Sequence, residues 1–144
     1  MPTVLHGAWL KKLVVSLAAL VLAGFVTAAA DPTQQVIDAA RSWLRLIDDG
    51  KYDQSWNEAS KLFRERVTQA QWATEVRAAR EPLGAVESRA APTVREVTSL
   101  PGVPDARYAI LEFHSKFQHK ADAVETVTMV MDDGTWKPAG YFIK

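Results

Sequence analysis

The sequence has no cysteine. A chain without cysteine has no disulfide, no thiolate nucleophile and no cysteine-ligated metal, so its stability must come from packing. Histidine is nearly as scarce, with only His6, His114 and His119, and two histidines beyond the leader are a poor basis for a metal site. There is no Gly-rich phosphate loop, no nucleophile elbow, no Ser-x-x-Lys pair and no His-Glu-x-x-His helix, and nothing in the pattern calls for a cofactor. Charge of one sign is also missing: seventeen basic residues stand against seventeen acidic ones, interspersed along the chain. Counterion-driven binding to nucleic acid needs a clustered basic face, so that class of partner is excluded.

A long apolar run occurs in one place only. His6, Lys11 and Lys12 precede the fourteen residues "LVVSLAALVLAGFV", which lead into "TAAA" and Asp31. Basic segment, apolar segment and Ala28-x-Ala30 are the order of a secretory signal peptide. A membrane-spanning helix wants roughly 20 apolar residues, more than this run supplies, and no cysteine follows that could carry a lipid. The expectation is a signal peptide over 1–30, cleaved after Ala30, and an exported, periplasmic or secreted domain that is soluble and free of the membrane. Without Lys11 and Lys12, fifteen basic residues face seventeen acidic ones, a net charge of −2. The remaining 31–144 is one domain by length and can bury roughly 65% of its unfolded surface.

Helical spacing comes first along that domain. Asp31-Pro32 supplies a capping acid and a first-turn proline, and Val36, Ala40, Leu44 and Ile47 recur at helical intervals, flanked by Ile37 and Trp43, until Gly50. A second helix is expected from a cap at Asp53, with Trp56, Ala59, Phe63 and Val67 on its face. In "VTQAQW", Thr68 and Gln71 have the spacing of a capping box, which predicts a third helix from Gln69 carrying Trp72, Val76 and Ala79 and ending before Pro82 and Gly84. After Gly84 the period becomes two. "AVESRAAPTVREV", "ARYAILEFHSKF", "AVETVTMVM" and "TWKPAGYFIK" read as four strands, with "SLPGVPDA" a loop and "HKAD" and "DDGT" hairpin connections. The fold class is α+β: about three N-terminal helices packed on a curved antiparallel sheet of about four strands.

The stretches "SWLRLIDDGKYDQSW", "QWATEVRAAREPLGAVESR", "TSLPGVPDARY" and "ETVTMVMDDGTWKPAGYFIK", with Trp56, Trp72, Gly84, Arg89, Lys120, Glu125, Trp136, Gly140 and Tyr141 among the matching positions, resemble the bacterial domain-of-unknown-function family numbered 4019. The resemblance spans essentially the whole of 31–144. It implies a cone-shaped roll of the nuclear transport factor and ketosteroid isomerase (cystatin-like) class, in which a curved sheet wraps a helix and can leave a pocket. It hands over no activity, since that fold carries enzymes, binding modules and adaptors alike.

Strand parity sorts the candidate residues. Ala109, Leu111, Phe113 and Phe117 share the face expected under the helices, which puts Glu112, His114 and Lys116 on the outer face as a solvated row; His119 falls in a turn. Glu125 shares parity with Val127, Met129 and Met131, and alternation leaves open which face is inward. If it enters the cone, it must pair with a cation or take a raised pKa. Arg89 and Lys120 are the candidate ion-pair partners, fixing strand register, while a general base or ligand anchor is the functional alternative. Asp48 and Asp49, at a helix C-terminus, read as acids facing water. In the last hairpin Asp132 and Asp133 belong to the turn, Trp136 and Phe142 share a parity suited to the core, and Gly140 permits a bend. Most aromatics must be core; Trp43, Trp56, Trp72, Phe113 and Trp136 are the candidates for lining an apolar pocket.

Three functions follow as expectations. The leading one is an exported, non-catalytic domain that binds a small apolar ligand or an envelope protein partner. The second is a small lyase or isomerase using Glu125 with Tyr141 or Tyr52 in the cone. The third is a structural or self-associating envelope protein, marked by an apolar outer sheet surface and a homodimer in solution.

Overall fold

The computed structural model describes residues 28–144. The expected signal peptide therefore lies outside the described residues except for its last three. Among the described residues no helix is long and apolar enough to cross a membrane.

Helix α1 runs Pro32–Asp48, capped by Asp31, whose carboxylate accepts from the Thr33 amide at 3.1 Å. Val36, Ala40, Trp43, Leu44 and Ile47 form its buried stripe. The expected second helix is two short ones, α2 (Tyr52–Asn57) and α3 (Lys61–Arg66). Its first residues are set by Lys51, not Asp53, and the break comes at Ser60, whose hydroxyl accepts from the Phe63 amide at 3.2 Å and starts a new helix. The Ser60 amide meanwhile donates to the Pro138 carbonyl at 2.8 Å, tying the break to the sheet. Helix α4 (Gln69–Arg80) begins at the capping box of Thr68 and Gln71 as the spacing predicts. Its buried face is Trp72, Val76 and Arg80; Ala79 is exposed. A 3-10 turn (Glu81–Leu83) leads to Gly84, at φ 71°. A side chain there would meet Gln118 and His119 at 2.9 Å, so glycine is required both by the dihedral and by the approach of the next hairpin.

The sheet has five strands rather than four: β1 (Val86–Arg89), β2 (Thr93–Val97), β3 (Tyr108–Phe117), β4 (Lys120–Asp132) and β5 (Thr135–Ile143). The stretch expected as one strand is split by Ala90–Pro92, and its two halves pair antiparallel with different parts of β3. Proline cannot donate to a ladder, so the interruption falls where Pro92 stands. From there the order is β3, β4, β5, all antiparallel. Asp133 and Gly134, at φ 50° and 77°, make the tight turn between β4 and β5.

All the helices lie on one face of the sheet. Ala109, Leu111, Phe113, Val127, Met129 and Trp136 meet the stripes of α1 and α4 in one core, where a fully buried aliphatic or aromatic side chain contributes roughly 1.5–3 kcal/mol. Glu112, His114 and Lys116 are exposed on the other face.

One reading of the last strand is overturned. Thr128 pairs with Gly140, yet Met129 pairs with Pro138, so Ala139 is an extra residue in β5. Such a bulge inverts the alternation beyond it. Trp136 points into the core as expected, with Pro138 beside it, but Phe142 is 61% exposed. Tyr141 is turned inward in its place, against Trp43 and Trp72.

Val124 and Lys144 exchange both backbone hydrogen bonds, at 2.9 and 3.1 Å, so the end of the described chain is a working part of the sheet. Removing Gly140–Lys144 is expected to abolish the cooperative melting transition in circular dichroism; a truncated protein that melts like the full chain would contradict this.

Candidate functional site

The face of Glu125, left open by alternation, is inward, and its side chain is fully buried. Four groups donate to its two oxygens. Arg89 Nε reaches Oε2 at 2.5 Å and Ser115 Oγ reaches the same oxygen at 2.6 Å. Arg89 Nη2 reaches Oε1 at 3.0 Å and Tyr141 Oη at 2.7 Å. A carboxylate offers about four acceptor directions, and all are engaged.

The same guanidinium serves a second carboxylate. Arg89 Nη1 and Nη2 donate to Asp48 Oδ2 and Oδ1 at 2.6 and 2.8 Å, while Arg80 Nη2 donates to Asp48 Oδ1 at 2.7 Å. Arg80 Nη1 stands 3.7 Å from Glu125 Oε1. The cluster holds two guanidinium groups and two carboxylates, so it is neutral as a whole, which is what allows ions at this depth. Arg80 Nε and Nη1 have no hydrogen-bond partner among the described residues. The Arg80 guanidinium lies 4.7 Å from the centroid of the Phe117 ring, whose face attracts a cation and accepts weakly from N–H groups.

Each member comes from a different element. Asp48 ends α1, Arg80 ends α4, Arg89 ends β1, and Ser115, Glu125 and Tyr141 come from β3, β4 and β5. The placement of Asp48 corrects its reading as a water-facing acid. It stands four residues after Leu44, which itself follows Val36 and Ala40 at intervals of four, so it continues the buried stripe. An acid at its own helix C-terminus costs ~0.3–1 kcal/mol; direct pairing of Asp48 with two guanidinium groups outweighs that. Arg80 extends the stripe of Trp72 and Val76 in the same way, and nothing in the sequence reading named it or Ser115. Periodicity carried past the last apolar residue would have found both Asp48 and Arg80.

Of the two proposed partners of Glu125, Arg89 is the one present. Lys120 begins β4 opposite Phe117 and is not among the groups donating to the carboxylate. Tyr141 meets Glu125; Tyr52, on α2, instead lies under the Arg77 guanidinium, 5.7 Å from its ring centroid. The pocket candidates Trp43, Trp72, Phe113 and Trp136 are buried in the core, and Trp56 is half-buried against it. Trp43 and Trp72 stack at 5.7 Å, with Phe63 edge-on to Trp72 at 5.1 Å. Their indole N–H groups end on Ser55, one on its carbonyl and one on its hydroxyl, both at 2.8 Å. These rings fill the interior that a pocket would need.

Burial pushes the Glu125 carboxyl up, but the bond and charge of Arg89, with the Ser115 and Tyr141 hydroxyls, outweigh it and hold Glu125 below the usual carboxylate range. Asp48 is likewise lowered, burial being overcome by Arg89 and Arg80. Burial and the adjacent Glu125 charge raise Tyr141 above its ordinary value. A general base needs a free lone pair and a pKa near the working pH; Glu125 has neither.

Residues 39–141 match the model of a family described as a protein of unknown function (DUF4019). The chain belongs to the DUF4019 family. No curated protein matches it. In this DUF4019 member the residues of the buried cluster all fall within the matched span or at its last position.

Glu125→Gln leaves two guanidinium groups facing one carboxylate and is expected to cost about 3–5 kcal/mol, read by urea unfolding. Tyr141→Phe removes one donor to a charged acceptor, about 1.5–3 kcal/mol; a loss under about 0.5 kcal/mol in either variant would contradict the clamp. Because both carboxyls sit lower in the folded chain than in the unfolded one, their stabilisation is complete above about pH 5 and is lost as the pH falls below about 4. The melting temperature should be level down to about pH 5 and then drop, with a shallower drop in Glu125→Gln.

Proposed function

We propose that this DUF4019 protein is an exported, non-catalytic binding module that takes a small apolar ligand, or one apolar side chain of an envelope protein, in a groove at the open end of the sheet. The export half of the reading is supported by the leader before Asp31. The roll class that the family resemblance implies is supported by a long helix and three short ones on one face of an antiparallel sheet.

The observation that carries the non-catalytic half is the saturation of Glu125: every acceptor direction is taken by a protein donor. A substrate proton would have to displace Arg89, Ser115 or Tyr141 from a buried charge. The lyase alternative, with Tyr141 as partner, requires a mobile phenol, and this one is fixed to the carboxylate at 2.7 Å.

The binding half rests on a cleft of about 230 Å3 between α3 and the ends of β3 and β4. Leu62, Pro104, Ala106, Val130 and Met131 give it an apolar lining, and Lys61, Glu65 and Asp132 ring it with charge. Drug-sized ligands occupy roughly 300–1,000 Å3, so the groove suits something smaller. Lys61 and Glu65 pair one turn apart along α3, on one side of the rim, at 3.7 Å.

Anilinonaphthalene sulfonate is a suitable probe, its aromatic part for the groove and its sulfonate for Lys61. Fluorescence should rise on adding native protein and fall at least about fivefold in affinity for Met131→Glu and for Leu62→Glu, on opposite walls. No rise with native protein, or a rise indifferent to both variants, would overturn the reading.

A further inference from the structure

We propose that the loop 98–107 is a hinged flap controlling entry to the apolar groove, and that Arg66 is the latch that holds it shut. The flap acts on the groove proposed above as the binding site and depends on that reading.

The walls of the groove come from separate pieces of chain. Leu62 and Glu65 of α3 belong to one, Pro104 and Ala106 of the loop to the other, and the ends of β3 and β4 supply Tyr108, Val130 and Met131. The loop is fixed at its base. There the Ala106 amide donates to the Thr98 carbonyl at 3.1 Å, and the Met131 amide to the Arg107 carbonyl at 2.9 Å. Arg107 is held further by Glu96, at 2.9 Å, and by the Trp136 ring, whose centroid lies 5.1 Å from the guanidinium carbon.

The tip is bound differently. Pro101-Gly102, with Gly102 at φ 77°, turns the chain there. Among the described residues no backbone group of Ser99–Asp105 bonds to the backbone outside that stretch, and Pro101 and Pro104 have no N–H to offer. A side chain at Gly102 would meet nothing within 4 Å, and Leu100 and Val103 are only half-buried. Two side chains hold the tip instead. Tyr108 Oη donates to the Pro104 carbonyl at 2.6 Å, and Arg66 Nη2, at the end of α3, donates to the Gly102 carbonyl at 2.5 Å. The Arg66 bond joins the α3 wall to the loop wall. Arg66 and Gly102 are both exposed, so water competes for this bond, and it can break and re-form without disturbing the core. A loop whose ends are joined and whose length carries few bonds lies at the low-stability end of a structure, from which lids are drawn. With the latch released, the tip swings about Thr98 and Ala106, carries Pro104 away from Leu62, and opens the groove.

Arg66→Met keeps the aliphatic stem and removes the donor. Nitrogen-15 relaxation of the native protein should give the Gly102 and Val103 amides order parameters near the ~0.85 of rigid backbone, and Arg66→Met should bring both below about 0.6 with the strands unchanged. Stopped-flow mixing with anilinonaphthalene sulfonate measures the gate. Arg66→Met should raise the association and dissociation rates each at least about threefold, so that the dissociation constant changes by less than either rate. Loss of a positive charge alone slows the approach of an anionic dye, so faster association reports the opened flap. Order parameters already below about 0.6 in the native protein, or unmoved in Arg66→Met, would overturn the latch. Order parameters that fall while both rates stay the same would overturn the gate. A native protein that gives no fluorescence rise would overturn the groove reading instead, and the order parameters, which need no ligand, keep the two failures apart.

Discussion

Arg89 places one guanidinium between two buried carboxylates, and the rest of the structure is arranged around that sharing. Four of its N–H groups are spent on Asp48 and Glu125, which joins the end of α1 to the middle of β4 through the end of β1. Arg80 brings α4 to the same point, and Ser115 and Tyr141 bring β3 and β5. Hydrophobic burial drives these elements together and penalises a one-residue slip, but, being non-directional, it is indifferent to two-residue slips that keep the same face buried. A charge-assisted network is not, because a partner displaced by one residue or two leaves a buried ion uncompensated. The neutral sum of the cluster lets it be buried, and its directionality lets it specify how six elements meet.

The bulge at Ala139 is the second constraint, and it follows from the first. Strict alternation along β5 would send Trp136, Pro138, Gly140 and Phe142 to one face and leave Tyr141 outside. Inserting one residue keeps Trp136 in the core and turns the Tyr141 phenol onto Glu125. The consequence on the far face is the exposed Phe142. Interior and exterior are thus coupled through a single residue of backbone: what completes the clamp also turns Phe142 to the outside.

Much of this was legible in the sequence where a local rule applied. Asp31-Pro32, the Thr68 and Gln71 box, the Asp133-Gly134 turn and the alternation of β3 all act within a few residues, and the structure follows them. The class, α+β with helices before strands, came from the change of period at Gly84. The failures share a cause, which is that the deciding partner is far away in the chain. Ser60 breaks a helix because Pro138 waits for its amide; Phe142 leaves the core because Tyr141 is needed at Glu125. Asp48 looks like a surface acid in its local sequence because its compensating cations, Arg80 and Arg89, lie 32 and 41 residues further on. The aromatic residues were read well as core and less well as pocket, since spacing reports which residues are buried and not whether space is left between them.

The central claim is that Glu125 is an ionised structural anchor and never a proton acceptor for chemistry. The direct measurement is a carbon-13 NMR titration of its side-chain carboxyl, assigned by comparison with Glu125→Gln. The account predicts a charged carboxylate throughout the neutral range, titrating below the ordinary glutamate value of about 4.3. A carboxyl that takes up its proton between about pH 6 and about pH 8 would contradict it, and would make Glu125 a base held ready for a substrate.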